Sequence, residues 1–336
     1  MAIFRCSKCG HLREVSNDYI GKSAKCPQCQ HVAPIYATLA FIEKILERYF
    51  AQQQELLKFR QETNAVDQLD IQVIDKPGEE AFSLENIDIH NTTELTNDQQ
   101  YLPIIEWFAA KNVKVQVNPK ELDTTGFFDE MAFELGNNYE TLKEVSDKIK
   151  RIQKKGYTNV NFQLAQKSQK HIQEIVNFCN QLYKYSFVAK YFYQKQEKIV
   201  KLTLQTAPTI VHFFNGIWLE WFVFIKMFSL LQEKRIPFSG ARSLVVTFPN
   251  EDYHELDAVF LINNSVPICI ECKTGEFRQD IDKYSRLRKR LNIAPTHFLL
   301  CVAGLSDEQA QGLTSMYEVT LVNEKSFISH VERLLA

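Results

Sequence analysis

Two groups of residues in this chain have the types and spacing of chemical sites. Cys6-Ser-Lys-Cys9 and Cys26-Pro-Gln-Cys29 are two tight thiolate pairs separated by sixteen residues. Two such knuckles can bring four thiolates onto one tetrahedral Zn²⁺, and a closed four-thiolate site of this kind is structural. The second group lies near the C-terminus: Glu220, then Asp257, then Glu271-Cys272-Lys273. In a strand, alternation places Glu271 and Lys273 on one face while Ile270 and Cys272 point the other way. A hairpin can then carry Asp257 close to Glu271. Two carboxylates with the Cys272 backbone carbonyl suit a hard divalent ion, Mg²⁺ or Mn²⁺, that polarises a phosphodiester and acidifies a water. Lys273 can orient that water or neutralise developing charge, and Glu220 can hydrogen-bond a metal water or complete a second metal position. The competing reading is an ordinary buried ion pair in which Asp257, Glu271 and Lys273 satisfy one another.

The elements that must position these residues follow from periodicity. Residues 1–35 read as a zinc ribbon too small to fold without its metal. Residues 36–64 lack Gly and Pro and carry Leu39, Ile42, Ile45, Leu46, Tyr49 and Phe50 at three- and four-residue steps, which predicts one long amphipathic helix. Residues 65–100 are acidic and turn-rich and predict a linker or edge strands. Residues 101–207 predict an α+β middle domain with helices over 102–111, 127–155 and 168–185, strands over 113–117 and 160–164, and a hairpin over 186–205. No Gly-rich phosphate loop occurs in it. Residues 208–336 predict the domain that holds the carboxylates, with a helix from Asn215 to Leu231, strands Ser243 to Phe248, Asp257 to Ile262 and Val266 to Cys272, and a turn at Asn263-Asn264. After it come helix 278–291, strand 297–302, helix 307–317, strand 319–322 and helix 327–335. On helix 278–291, Lys283, Arg286, Lys289 and Arg290 form a basic face. Beside a metal site such a face gives sequence-independent affinity for phosphates, whereas elsewhere it is simply a solvated surface.

His212 and His254 are weaker candidates. One sits in an apolar stretch and the other beside Glu255, which competes with Asp257 for a metal by sharing its strand face. Trp218 and Trp221 predict core packing.

The phrases Gly-Ile-Trp-Leu-Glu220, Glu-Leu-Asp257 and Ile-Glu271-Cys-Lys273-Thr-Gly resemble the PD-(D/E)xK restriction-endonuclease-like superfamily. More narrowly they are similar to the nuclease domain of the CRISPR-associated ancillary nucleases that cyclic oligoadenylates activate. The resemblance spans residues 209 to 336. It implies an α/β fold with a mixed central sheet and a metal-dependent endonuclease, with Asp257 and Glu271 on the metal, Lys273 as catalytic lysine and Glu220 as auxiliary acid. It favours DNA over RNA and a role in defence or repair, and two sites for two strands favour a homodimer. Those relatives begin with a Rossmann-like nucleotide sensor, whereas these first 65 residues read as ribbon and helix. That departure argues against a cyclic oligonucleotide activator. The alternative function is a non-catalytic module that binds nucleic acid or protein on a nuclease-like scaffold.

Composition sets the outer bounds. Of 336 residues 45% are hydrophobic and 24% charged, with 39 basic against 41 acidic side chains. This is globular usage and excludes a histone-like polycation, so affinity for nucleic acid has to be local. The apolar run Trp218 to Leu231 is interrupted by Glu220 and Lys226 and predicts a core helix rather than a membrane span. No charged-then-apolar leader pattern opens the sequence, so a cytoplasmic location without membrane attachment is expected.

Overall fold

In a computed structural model, residues 2–6, 8–9, 11–38, 98–117 and 126–335 are described. The chain forms two compact units, Met1–Glu79 and Glu80–Ala336.

The first unit holds four short antiparallel strands: β1 (Ala2–Arg5), β2 (Leu12–Val15), β3 (Ser23–Lys25) and β4 (Val32–Ala37). They pair in the order β2-β1-β4-β3. Their core is minimal: Ala2, Phe4, Cys6, Cys26, Ala33 and Ile35. That is too little apolar burial to hold a fold alone, which agrees with a metal-dependent ribbon. β4 continues through Ala37, so Tyr36 and Ala37 are strand where the helix was expected to begin. Residues 39–64 of that helix, and residues 65–97 of the expected linker, fall outside the described residues.

The second unit begins with α1 (Asp98–Ala109), which starts earlier than its sequence periodicity suggested, and β5 (Lys114–Gln116). Then come α2 (Phe127–Asn137), α3 (Tyr139–Lys154), β6 (Asn159–Gln163), α4 (Gln169–Lys184), β7 (Val188–Gln194) and β8 (Ile199–Leu204). β6, β8 and β7 form a three-stranded sheet in that order. Its inner face, with Val160, Phe162, Val200 and Leu202, is buried.

A short helix, α5 (Pro208–His212), and one π-type turn (Phe213–Ile217) lead into α6 (Trp218–Glu233). The main sheet follows: β9 (Phe238–Thr247), β10 (Tyr253–Ile262), β11 (Val266–Lys273), α7 (Ile281–Leu291), β12 (Phe298–Val302), α8 (Asp307–Met316), β13 (Thr320–Val322) and α9 (Phe327–Leu335). Strand order is β13-β12-β11-β10-β9-β5. The β9-β10-β11 meander is antiparallel and β11-β12-β13 is parallel, so the sheet is mixed.

Both faces of this sheet are covered. Phe224 and Phe228 of α6 pack on Phe260 and Phe238 at ring separations of 5.1 and 5.3 Å, and Tyr284 of α7 packs on Phe298 at 6.4 Å. Pro208–Glu233 is long and apolar enough to cross a membrane, yet 67% of its most apolar window is buried inside the fold. No break in packing occurs at residue 207. One apolar core runs from Tyr101 through the middle helices to Val331. The close contact that joins them is α2 against α6 at Gly136, where an added Cβ would lie 2.3 Å from the Phe222 ring.

Candidate functional site

β10 and β11 pair in register from Ile262↔Val266 to Ala258↔Ile270, and there the ladder stops. Had it continued, Asp257 would stand opposite Glu271. Instead the Cys272 backbone N–H donates to Asp257 Oδ2 at 2.7 Å. The strands part at this point, with one carboxylate tied across the gap. On the other flank the β9–β10 pairing steps from Leu256↔Leu244 to Ala258↔Arg242, skipping Asp257. The residue skipped on β9, Ser243, has φ +52°, a left-handed conformation that a non-glycine residue adopts at a cost. Asp257 therefore lies in mid-strand between two irregularities, and not at the start of its strand.

Glu271 is 3% exposed, and its Oε1 is buried with no hydrogen-bond partner. Tyr284 of α7 lies beside the same carboxylate, and burial, with Glu271 and Asp257, raises its phenol. Burial, reinforced by Asp257, pushes the Glu271 carboxyl well above the usual range, while Lys273 and Lys283 oppose the shift. Asp257 is also raised, first by burial, against the Cys272 N–H and Lys273. Glu220, in the first turn of α6, is pushed up to about 8 by burial and then by Asp257, with Arg242 and Lys273 opposing. Glu220, Asp257, Glu271 and Lys273 thus share one electrostatic environment. Lys273 is 31% exposed and lies 3.9 Å from Asp280.

Two members of this neighbourhood were not singled out from the sequence. Arg242 is 4% exposed, approaches Glu220 at 3.6 Å and stacks on Trp221 at 3.7 Å. Tyr284 is a buried position of the basic helix α7. The signal for Arg242 was a charge inside an otherwise small and apolar strand.

The basic helix α7 divides. Lys289 pairs with Glu318, while Arg290 pairs with Asp252 at 3.0 Å and covers Phe248 at 3.7 Å. Their charges are engaged by carboxylates of the same unit. Lys283 and Arg286 are exposed and make no ion pair among the described residues, and Lys283 bears electrostatically on both Asp257 and Glu271. His254 packs edge-on against Phe248 at 5.9 Å, and burial, with Lys283 and Arg290, lowers its pKa. Glu255 is exposed. Trp218 and Trp221 are buried as expected.

A divalent cation fits the carboxylate site on one observation of this structure: a buried, partnerless Glu271 oxygen beside a second carboxylate. Two carboxylates leave other positions to the Cys272 carbonyl and water, and Mg²⁺ commonly keeps several waters.

In the first unit, Cys6 Sγ lies 3.4 Å from Cys29 Sγ, and Cys9 Sγ lies 3.5 Å from Cys26 Sγ. All four sulfurs are within 4.8 Å of one another, the one such cluster of three or more metal-ligand side chains among the described residues. Tetrahedral thiolates at about 2.3 Å from Zn²⁺ would sit about 3.8 Å apart, so the group fits zinc. The two knuckles are built alike, with Cys6 N–H donating to His11 O at 2.9 Å and Cys26 N–H to His31 O at 2.8 Å. Cys6 is pulled down to about 6: burial opposes this, but the Cys9 and Lys8 backbone N–H groups and the neighbouring thiols outweigh it.

No family model and no curated protein matches the chain. Among solved structures, protein VC1899 from Vibrio cholerae is similar over 69% of this chain and 60% of its own, at 16% identity and a TM-score of 0.46. Can2 from Sulfobacillus thermosulfidooxidans, in complex with cyclic tetra-adenylate, is similar over 68% of this chain and 59% of its own, at 14% identity and a TM-score of 0.46. The chain thus spans about three fifths of the length of each.

Proposed function

We propose that the unit Glu80–Ala336 is a metal-dependent nuclease of the PD-(D/E)xK kind, acting on DNA. The observation that carries this reading is the buried Glu271 Oε1 without a partner, next to Asp257 at the point where β10 and β11 part. An orphaned buried acceptor costs about 1–3 kcal/mol, a cost that a cation held by the same carboxylate would offset.

Asp257, Glu271 and the Cys272 carbonyl hold the cation. Mg²⁺ or Mn²⁺ bound there supplies neutralisation of phosphate charge and acidifies a water. Lys273, partly exposed at the end of β11, orients the attacking water and balances charge that develops on the phosphate. Glu220, pushed up to about 8 by burial when no cation is bound, can hydrogen-bond a water at the site from the first turn of α6. Arg242 holds that carboxyl in place. Lys283 and Arg286 receive the phosphate backbone without reading sequence. Cutting both strands of a duplex would take two such sites, which a homodimer would supply. The four cysteines hold structural Zn²⁺.

The test is cleavage of single-stranded DNA, duplex DNA and RNA with Mg²⁺ or Mn²⁺, beside Glu271→Ala and Lys273→Ala proteins. The expected result is metal-dependent cutting of DNA that falls by at least about a hundredfold in both variants. Equal cutting by parent and variants would overturn the assignment.

A further inference from the structure

The charge of this chain is unevenly placed. Residues 139 to 205 carry thirteen Lys and Arg against five Asp and Glu, while the whole chain carries 39 against 41. A surplus of eight positive charges in this stretch is balanced by acidic residues elsewhere. The stretch contains α3, α4 and the β6-β8-β7 sheet, whose outer face is exposed.

Strand register lays that face out in rows. Asn161 pairs with Lys201, which pairs with Phe192; one step along, Asn159 pairs with Thr203, which pairs with Lys190. The third row holds Gln163 and Gln194 on either side of Ile199. No carboxylate occurs among these nine positions. A solvated sheet face ordinarily mixes both signs of charge, since like charges side by side repel. Here the centre of the outer strand is a phenylalanine with 59% of its surface exposed, beside Lys201. Lys190 and Lys201 make no ion pair among the described residues, and Lys195 and Lys198, likewise unpaired, stand at the hairpin turn.

We propose that this face docks single-stranded DNA, with a base stacked on Phe192, phosphates on Lys190 and Lys201, and base edges on Asn161 and its neighbouring amides. Charge complementarity selects a polyanion. The exposed ring selects unpaired bases, because a duplex hides its base faces while a flat aromatic platform accepts any of them. The choice of DNA rests on the function proposed above; the ring and the lysines do not. The face belongs to the same compact unit as the carboxylate site and shares its apolar core.

The test is fluorescence anisotropy of labelled oligo(dT) with the full chain carrying Glu271→Ala, without divalent ions. Phe192 is exposed, so Phe192→Ala should fold, and it should weaken binding about five- to a hundredfold, the range for one base–aromatic stack. Phe192→Trp should hold the affinity. Lys190→Ala with Lys201→Ala should make the dependence of log K on log salt shallower by about 1.4, at about 0.7 per phosphate contact on a single strand. Unchanged binding in these variants, equally good competition by duplex DNA, or tighter binding of oligo(rU) would overturn the proposal. So would sedimentation showing that Phe192→Ala splits a dimer while oligo(dT) binding persists. The nuclease reading stands or falls separately. Glu271-dependent cutting with Phe192-independent binding removes the docking face alone, and Phe192-dependent binding without cutting removes the nuclease alone.

Discussion

Replacing Glu271 by glutamine should stabilise the metal-free protein while ending its response to divalent cations. Glutamine matches glutamate in shape, so the packing around a side chain only 3% exposed is retained. The change removes a buried titratable carboxyl beside Asp257 and lets an amide N–H, a donor, take the place of the partnerless Oε1. An unsatisfied buried polar group costs about 1–3 kcal/mol, so stability should rise by about that amount. At a urea m-value of about 2 kcal/mol/M this moves the midpoint up by about 0.5–1.5 M. The effect has a sign in pH. A carboxyl whose folded pKa is raised contributes stability that is fully present below its unfolded value and is lost as pH rises through the folded one. For Glu220 that window runs from 4.5 to about 8, and Glu271 and Asp257 shift in the same direction. The advantage of the glutamine protein should therefore grow from acidic to alkaline pH. Tryptophan fluorescence isolates the relevant unit, since the three tryptophans, Trp107, Trp218 and Trp221, all lie beyond residue 79. Mg²⁺ at tenfold its dissociation constant should stabilise the parent by about 1.4 kcal/mol and leave the variant unchanged. A glutamine protein less stable than its parent at alkaline pH, or one that Mg²⁺ stabilises equally, would refute the reasoning.

Three further outcomes are expected. Gly136→Ala forces a methyl to within 2.3 Å of the Phe222 ring and should cost about 1–3 kcal/mol by overpacking, partly recovered by adding Phe222→Leu, as read by urea denaturation. Gly216 has φ +141°, and a Cβ there would lie 2.7 Å from Thr274 Oγ1. Gly216→Ala should cost about 1–3 kcal/mol through the backbone conformation and should reduce cleavage more than Gly136→Ala does, because Thr274 follows Lys273; Thr274→Ala should relieve the contact but not the backbone term. Elemental analysis should find one Zn²⁺ per chain, lost in Cys9→Ser, with the tryptophan-reported unfolding transition unmoved because the first unit has no tryptophan.

What could be read from the sequence divides along the range of the interactions involved. The thiolate cluster was legible because each knuckle is a local turn and a closed zinc site needs little besides the two knuckles. The helices and strands of the middle region were legible from period, and β6 at Asn159–Gln163 falls within a residue of the expected strand. Their joining to the C-terminal sheet in one core was not. It depends on Gly136 admitting Phe222 from a helix some 86 residues later, and a glycine in a helix announces no partner. The same limit explains the basic helix. Lys289 and Arg290 are charges on an exposed face in the sequence, and only the fold brings Glu318 and Asp252 to them.

The carboxylate site lies between these cases. Its residue types and spacing were visible, and alternation correctly set Ile270 and Cys272 apart from Glu271 and Lys273. Alternation alone, however, serves an ion pair and a metal site equally well. The distinction is made by where the ladder stops. With Asp257 held by the Cys272 N–H, and Ser243 left-handed across from it, β10 cannot close on β11 beyond Ala258. Glu271 is thereby buried among groups that leave one of its oxygens unpartnered. A sequence can place an acid in an apolar strand, but whether that acid is satisfied is a property of register, and register is set by bonds fifteen residues apart. For this reason the glutamine substitution bears on the site more directly than an alanine does: it keeps the shape and alters only the charge and the hydrogen bonding of the side chain.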